Sequence, residues 1–478
     1  MSTAFRVARE ELRQWRRSRL AIVALCLFAA LLFVTSALTA NAMLEQGHER
    51  LHQQEESEQT FLSQPARHPH RMVHYGHYVF RTPPPLSMFD PGVDAVTGQS
   101  LFLEGHRQNA VMFANASAQA RTGGFGALTP ASLYYLIVPL LLIALGHSTM
   151  LREHETRTLG PLLAQGTQGF TLLAGKLLAM LALVFALSLP VLAVCVIAVV
   201  MSEPLLTSGL LYLNTVLYLL VWSALAVLVS TTVIDRGVAL GVLIFLWLTI
   251  ALILPRVGVA IATAASPVDG KITSDMKMND ALSKAGDGHN TADPAFAQLR
   301  ANLLAQYDVE TVEELPINFR GAVASKSESD LTAILNDYAE KRMQTEINQS
   351  RTLASLGWIS PYIAASINSR QLSGTDLATH HRFLREAENL RFDFVQGLNQ
   401  AHKEVLSYDL DINRNANKAA FDKTRIDPEN WQVLNNFRFE PDDAATRSKR
   451  SSLGIVVLVM WLILLLGANF YYARRLSP

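Results

Sequence analysis

The stretch "LLAGKLLAMLALVFALSLPVLAVCVIAVVM" (residues 172–201) decides the fold class of this chain. It contains a single charged residue, Lys176, and is longer than the roughly 20 mainly apolar residues that a helix needs to cross a bilayer. Five further apolar runs of comparable character lie at 20–40, 132–150, 205–231, 237–261 and 452–473. Backbone polar groups in lipid must be satisfied internally, so each run is expected to be a helix. The sequence therefore predicts an all-α polytopic membrane protein with six transmembrane helices.

The composition agrees with a membrane protein and excludes several other classes. Charged residues make up 17% of the 478-residue chain, against about 25% in an average soluble domain. The formal net charge of +0 argues against a nucleic-acid partner, since such domains are usually strongly basic. The two cysteines, Cys26 and Cys195, both lie inside apolar runs. They are expected to be packing residues rather than a disulfide or a metal-binding pair.

The short flanks of the runs predict the orientation. The N-terminal segment 1–19 carries six arginines against two glutamates, which places it in the cytoplasm by the positive-inside rule. Six spans return the tail 474–478 to the same side, and the connecting segment 151–171 also lies there. Two long regions then lie outside the membrane, region 1 (residues 41–131) and region 2 (residues 262–451). We expect a multi-pass membrane protein with both termini cytoplasmic.

Two features of the flanks bear on the six-span interpretation. The first run ends in "TANA" (39–42), which offers a small-residue cleavage pattern, but about 20 apolar residues exceed the 7–15 of a signal-peptide core. An uncleaved anchor is therefore the better interpretation. Basic residues Arg447, Lys449 and Arg450 fall on the outer side of the last span, against the rule. Long loops cross the membrane largely regardless of charge, so the six-span interpretation stands.

Regions 1 and 2 are expected to form one mainly helical extracytoplasmic domain. Region 1 opens with a stretch that continues the first helix, and then three consecutive prolines, Pro83 to Pro85, exclude a regular helix. Region 2 repeats apolar positions at helical spacing. One such face consists of Phe383, Leu384, Ala387, Leu390, Phe394, Leu398 and Ala401.

Region 1 also contains a group of histidines that could bind a metal ion. These residues are His68, His70, His74 and His77. Imidazole is a common metal ligand, but the spacing fits no standard closed site and no cysteine lies within the group. The alternative is a polar exposed loop that happens to contain histidines. No catalytic constellation was found in either region.

The segment 151–171 starts with alternating charges and becomes apolar. That pattern is typical of a short amphipathic helix that lies at the membrane surface or docks on a cytosolic partner. Lys176 was expected to extend towards the interface, where its amine meets water. The "GFTLLAGKL" stretch (169–177) is not a P-loop, because five residues separate its glycines and Leu177 replaces the Ser or Thr that binds magnesium. The chain is thus expected to bind no nucleotide itself.

The same segment resembles a motif of ABC-2-type exporter permeases. "REHETRTLGPLLAQGTQGFTLLAGK" (152–176) is similar to the family's E-x-E-x-G-T-L segment with a later Gly-Lys, although Arg157 replaces the usual Gly. The resemblance implies a coupling helix that contacts a separate ATPase subunit. The predicted ATPase-coupling residues are Arg152, Glu153, Glu155, Arg157, Thr158, Leu159, Leu162 and Leu163. The resemblance also implies ATP and magnesium bound by the partner, a second permease, identical or homologous, and a location in a bacterial inner membrane.

A narrower resemblance covers regions 1 and 2. Stretches 78–109, 314–321 and 373–399 are similar to a subgroup of these permeases that has a large extracytoplasmic domain of unassigned function. Relatives of this subgroup resemble the permease used in copper-enzyme maturation. The resemblance implies that His106, His380 and His381 belong to a shared structural pattern, and it identifies no cargo.

Two hypotheses for function follow from the sequence. The first is the permease subunit of an ATP-driven exporter or extracytoplasmic assembly machine. The second, from a different class, is a non-transporting sensor or scaffold whose outer domain binds a ligand or an envelope protein. Metal handling by the region 1 histidines is a third, narrower possibility.

Overall fold

A computed structural model describes residues 2–109, 111–112, 128–434 and 437–475 of the chain. Residues 113–127 of region 1 and residues 476–478 of the tail lie outside the described part.

Six helices in this described part are long and apolar enough to cross a membrane, which confirms the predicted all-α polytopic fold. They are Ala21–Leu62, Pro130–Glu155, Gly169–Val200, Leu205–Thr232, Arg236–Ala265 and Ala444–Ala473. Each corresponds to one apolar run of the sequence. The first, within helix Arg19–Leu62, continues well beyond its run, as the polar stretch after residue 40 indicated.

The basic N-terminal segment is itself a helix, Thr3–Arg17, which the sequence analysis did not predict. Ser18 interrupts the chain in an extended conformation, and its side chain caps the following helix by accepting from the Ala21 amide at 3.3 Å. The apolar side of the N-terminal helix packs against the third span, with Ala8 and Trp15 buried.

The second and fifth spans each contain one π-helical turn, at Leu133–Ile137 and Thr249–Ile253. A proline follows each turn closely, Pro139 and Pro255. Proline lacks the amide that would complete the α-helical ladder, so the backbone of the preceding turn rearranges. Other side chains bond to carbonyls there: the Trp247 indole donates to Leu136 O at 3.0 Å, and Ser360 Oγ donates to Ile250 O at 2.8 Å.

Region 1 contains the only strands of the described chain. Strands β1 (His77–Phe80) and β2 (Ser100–Leu103) form an antiparallel hairpin with His77 opposite Leu103. Short helix Pro69–Val73 precedes strand β1 in the chain, and the 3-10 turn Pro85–Met88 and short helix Asp94–Thr97 lie between the two strands. The consecutive prolines thus end regular structure, as their sequence predicted.

Region 2 is built mainly from helices. The α-helices are Lys271–Lys284, Ala297–Tyr307, Phe319–Ser355, Pro361–Ser373, Leu377–Val405, Tyr408–Ile412 and Lys418–Asp422. Single 3-10 turns are Pro294–Phe296, Val312–Glu314 and Leu356–Trp358, and a longer one is Pro428–Leu434.

Regions 1 and 2 share one hydrophobic core and so form a single domain. Phe61 at the end of the first helix packs edge-on against Phe394 of helix Leu377–Val405, with ring centroids 5.4 Å apart. Met72 and Val79 of region 1 lie in the same buried cluster as Leu398. The predicted face of this helix is correct, since five of its members are buried and Leu384 and Leu390 pack against the same cluster.

Helix Pro361–Ser373 packs between the fourth and sixth spans, a position that the sequence did not indicate. Asn214 in the fourth span donates from Nδ2 to Ala365 O at 3.0 Å and to Tyr135 Oη at 3.1 Å. Buried amide and hydroxyl groups between these helices therefore satisfy one another inside the bundle.

Candidate coupling segment and histidine clusters

The 151–171 segment folds as two short helices instead of one. Helix Leu151–Glu155 ends at a turn, and helix Leu159–Ala164 follows. Arg157 in the turn has φ +54°, the left-handed region in which a side chain is unfavourable. Glycine is the residue that adopts this conformation readily, so the geometry gives a reason for the Gly that the resembling motif carries here.

The leucines of the segment pack inward. Leu159 is buried against Met150 and Leu172, and Leu163 packs against the same cluster. Leu162 is half-buried. The sequence did not indicate whether these leucines bind a partner or pack within the chain. In the structure Leu159 packs the segment against its own spans.

Lys176 lies in a buried ionic cluster, so the expectation that it extends to the interface was wrong. Its side chain is 2% exposed and its Nζ donates to Glu11 Oε2 at 2.8 Å and to Glu153 Oε1 at 2.7 Å. Arg152 Nη2 lies 2.5 Å from the other oxygen of Glu11. We call these four residues the lysine cluster. It joins the N-terminal helix, the 151–171 segment and the third span at one point.

Close approach of the N-terminal helix makes this burial possible. A Cβ on Gly175 would lie 2.5 Å from Val7 Cβ and 2.7 Å from Ala4 O, so only glycine fits between the helices. The sequence pattern did not identify Glu11 as a site residue. It entered only as one of the two negative charges among the N-terminal arginines. Its apolar neighbours at helical spacing, Ala8 and Trp15, were the available indication that this face is buried.

The remaining charged face of the segment points to solvent. Residues 154–158 are all exposed. Glu155 forms an ion pair with Arg236 at 2.5 Å, which connects the segment to the start of the fifth span. Glu153 accepts from Thr158 Oγ1 at 2.6 Å, so the motif's Glu and Thr fix the turn between the helices. The predicted coupling residues thus divide into an internal set, Arg152, Glu153 and Leu159, and an exposed set centred on Glu155 and Arg157.

The region 1 histidines that the sequence grouped do not form one site. His77 begins strand β1, where its Nδ1 lies 3.1 Å from Ser57 Oγ. His68 faces a buried carboxylate, Asp411. Only His70 and His74 lie together, with Nε2 atoms 3.3 Å apart.

The cluster around Asp411 is a saturated ionic network. His68 Nε2 and His402 Nε2 lie 3.1 Å and 2.9 Å from the carboxylate oxygens, and Arg414 Nη1 approaches one of them at 2.5 Å. Asn318 Nδ2 donates to the other oxygen at 3.3 Å. These donors hold the pKa of Asp411 well below its usual range, although burial opposes them. Both oxygens are already bonded and a guanidinium is adjacent, so the cluster stabilises the fold.

A second cluster consists of His70, His74, His106 and His289, and we call it the four-histidine cluster. One nitrogen of each ring lies within 4.8 Å of the others. Burial, followed by the neighbouring imidazoles, lowers the pKa of His70 from 6.5 to about 3. His289 comes from region 2 and had not been singled out in the sequence. It lies in a loop more than 180 residues along the chain from the other three histidines. Metal-site motifs with short ligand spacings cannot identify a ligand at that distance.

Two known protein families match parts of the chain. Residues 5–309 match the family described as ABC-2 family transporter protein, which is more than half of the chain. Residues 272–440 match a domain of unknown function, DUF3526. No curated protein and no solved structure matched the chain. The first match includes the N-terminal helix, the 151–171 segment and five spans.

Proposed function

The chain belongs to the ABC-2 family of transporter proteins, and on that premise we propose that it is the permease subunit of an ATP-driven exporter. Its six apolar helices make it a multi-pass membrane protein. The described structure and the sequence offer no nucleotide-binding motif of its own. The energy for transport then comes from an ABC ATPase subunit, which binds ATP and magnesium.

The observation that carries the proposal is the lysine cluster beneath an exposed charged turn. Residues 154–158 are accessible to a partner, while Glu153 and Arg152, directly before them, are bonded to the third span and the N-terminal helix. A displacement of the exposed turn is therefore transmitted to two membrane elements through buried ion pairs. Nucleotide binding to the ATPase would bias a two-state equilibrium of the spans through this connection.

The assembly that fits this role contains two such permeases and two ATPases. The second permease is either an identical copy or a homologue. The domain of regions 1 and 2 would act on the far side of the membrane, on a cargo or an envelope protein. In this arrangement the transported substrate is recognised by the spans and the domain, and the 151–171 segment serves only coupling.

Affinity purification from the native cell in mild detergent, with mass spectrometry, tests the proposal. A stoichiometric ABC ATPase is expected. The double reversal Glu155→Arg with Arg157→Glu changes two exposed charges, and within the fold it breaks the surface pair of Glu155 with Arg236, a kind of pair that contributes little to stability. It should reduce the retained ATPase about tenfold, since paired charge reversal opposes a complementary surface. Lys341→Glu, an exposed reversal in region 2, is the matched control and should retain it.

The internal set is tested separately, because it acts after the partner has bound. Glu153→Gln should retain the ATPase but reduce the stimulation of ATP hydrolysis by cargo or membrane reconstitution, since the Lys176 contact is weakened. An ATPase that never co-purifies, together with an indifferent double reversal, would favour the sensor or scaffold hypothesis.

A further inference from the structure

We propose that the four-histidine cluster binds one Zn²⁺ ion and thereby clips region 2 to region 1. Three ligands come from region 1, His70, His74 and His106, and the fourth is His289 of region 2. The site is separate from the coupling segment, so the proposal does not depend on the transport function.

The donor set and its spacing fit a tetrahedral cation. The Nε2 atoms of His70 and His74 are 3.3 Å apart, and Zn–N bonds of about 2.0–2.1 Å give a tetrahedral edge of about 3.3–3.4 Å. The other two imidazoles lie within 4.8 Å of this pair, so modest rotations close the set. Four imidazole nitrogens with no carboxylate oxygen exclude Mg²⁺ and Ca²⁺, which prefer oxygen ligands.

The imidazoles are oriented in the way that metal-ligating histidines are. Metal-bound histidine almost always has a carboxylate or carbonyl at its other nitrogen, which fixes the ring. His106 Nδ1 lies 3.0 Å from Glu328 Oε2, and His289 Nδ1 lies 3.1 Å from Asp287 Oδ1. In both rings a carboxylate lies at Nδ1, which leaves Nε2 as the nitrogen available to a metal ion. Glu328 is itself fixed by Arg391, whose Nη1 approaches Oε1 at 2.6 Å, with both side chains at most 1% exposed.

His106 shows two further features of a ligand. Its Nε2 is buried and has no hydrogen-bond partner among the described residues, a costly arrangement unless another group binds there. Its backbone has φ +66°, an unfavourable conformation for a side-chain-bearing residue. The preceding Gly105 packs directly on Val73, since a Cβ there would lie 2.0 Å from Val73 Cγ1. The turn thus holds His106 over the short helix that carries His70.

The Asp411 network next to this cluster does not compete for the ion. Its carboxylate is bonded on both oxygens, and Arg414 lies 3.4 Å from His68 Nε2, where its charge would repel a cation. His68 nevertheless supports the site, because its Nδ1 accepts the amide of His70 at 3.2 Å. That contact caps the short helix on which His70 and His74 stand one turn apart.

Binding would order one particular segment. His289 lies in the turn between helix Lys271–Lys284 and the 3-10 turn at Pro294. Local bonds such as Asp287 N to Asp293 Oδ2 at 2.9 Å and a close contact of Gly288 with Ser327 hold this turn within region 2. The ion would tie this turn to the hairpin side of the domain. Zinc is therefore expected to fix the start of region 2 in position.

The test uses the full chain, purified in detergent after chelator treatment and titrated with ZnCl₂ by calorimetry. About one equivalent should bind, and X-ray absorption should report about four nitrogen ligands near 2.0 Å. His289→Ala, at an exposed position, should weaken Zn²⁺ affinity at least a hundredfold. His52→Ala, an exposed histidine outside the cluster, is the matched control and should leave it unchanged. Zinc should also slow amide exchange in residues 285–293.

A second variant separates ligation from folding. Asp287→Asn removes only the carboxylate behind His289 and should weaken the affinity about 10–100-fold, as is typical for such outer partners. Asp287 is exposed, so the variant is expected to fold normally, which the elution volume and circular dichroism check. No uptake by the wild-type chain, or an affinity that is the same in His289→Ala and the control, would overturn the proposal.

Discussion

Lys176 shows how a single buried charge can organise the base of the membrane bundle. Removing an amine and two carboxylates from water costs several kcal/mol per ion, and mutual attraction offsets this only with good geometry. Lys176 has that geometry, with contacts of 2.8 Å and 2.7 Å to Glu11 and Glu153. The cluster is therefore sensitive to the loss of one member.

Lys176→Met should strongly destabilise the protein, because it leaves the half-buried Glu153 without its lysine and Glu11 with Arg152 alone. The expected loss is about 3–5 kcal/mol. The thermal unfolding temperature in detergent measures it. The double variant Lys176→Met, Glu153→Gln is the control and should recover much of the stability, since the remaining Glu11 keeps its ion pair with Arg152. An equally unstable double variant would contradict this account.

Arg157→Gly should stabilise the turn of the 151–171 segment by about 1 kcal/mol, because a left-handed residue without Cβ is unstrained. Hydrogen exchange of the amides in this segment should slow accordingly. Thr156→Gly is the matched control: Thr156 has φ −78°, an ordinary value, so glycine there adds flexibility, loses the hydrogen bond that Thr156 Oγ1 donates to Arg152 O, and should speed exchange. Faster exchange in both variants would show that φ at Arg157 carries no strain.

At the scale of elements, strand β1 and helix Leu377–Val405 each bury a histidine near one end. Burial lowers the pKa of His77 and of His380 from 6.5 to about 4. The nearby Glu58 opposes this shift at His77, and Arg81 adds to it at His380. Both imidazoles are therefore neutral in the folded domain at neutral pH.

The domain of regions 1 and 2 should lose stability as the pH falls from about 6.5 to about 4. The folded pKa lies below the unfolded one, so the unfolded chain binds more protons in this window and stability rises with pH. Each of these two histidines contributes roughly 3 kcal/mol to the free energy of unfolding. This contribution is fully present above pH 6.5 and is lost as the pH falls to about 4. Unfolding temperatures at pH 7.5 and pH 5 measure the effect. His77→Gln should flatten the dependence, whereas His52→Ala, an exposed control, should leave it unchanged.

The elements differ in how far the sequence could predict them. The predictions of the six spans and of the buried face of helix Leu377–Val405 were correct, because they depend on local hydrophobic patterns in the sequence. The N-terminal helix was missed, because its arginines dominate a short amphipathic pattern. The four-histidine cluster was only partly predicted: His70 and His74 lie four residues apart in sequence, but His289 joins them through tertiary packing alone.

At the scale of the whole molecule, two of the basic residues before the last span have structural partners. Arg447 forms a buried ion pair with Glu203 at 2.7 Å, and Arg450 lies 2.6 Å from Asp442. The predicted orientation rests on the short flanks, because long loops cross the membrane largely regardless of their charge. Arg447 also donates to Leu372 O, so it joins the last span to helix Pro361–Ser373. Its role is structural.

Cysteine labelling tests the resulting orientation. In a background with Cys26 and Cys195 replaced by Ala, Lys271→Cys should react with a membrane-impermeant maleimide in intact spheroplasts, because Lys271 is exposed in region 2. Arg157→Cys should react only after permeabilisation, since the positive-inside rule predicts that the side with the N-terminal arginines is cytoplasmic. The cysteine-free parent controls for background. Labelling of Arg157→Cys alone in intact cells would invert the topology and remove the 151–171 segment from reach of any cytosolic ATPase.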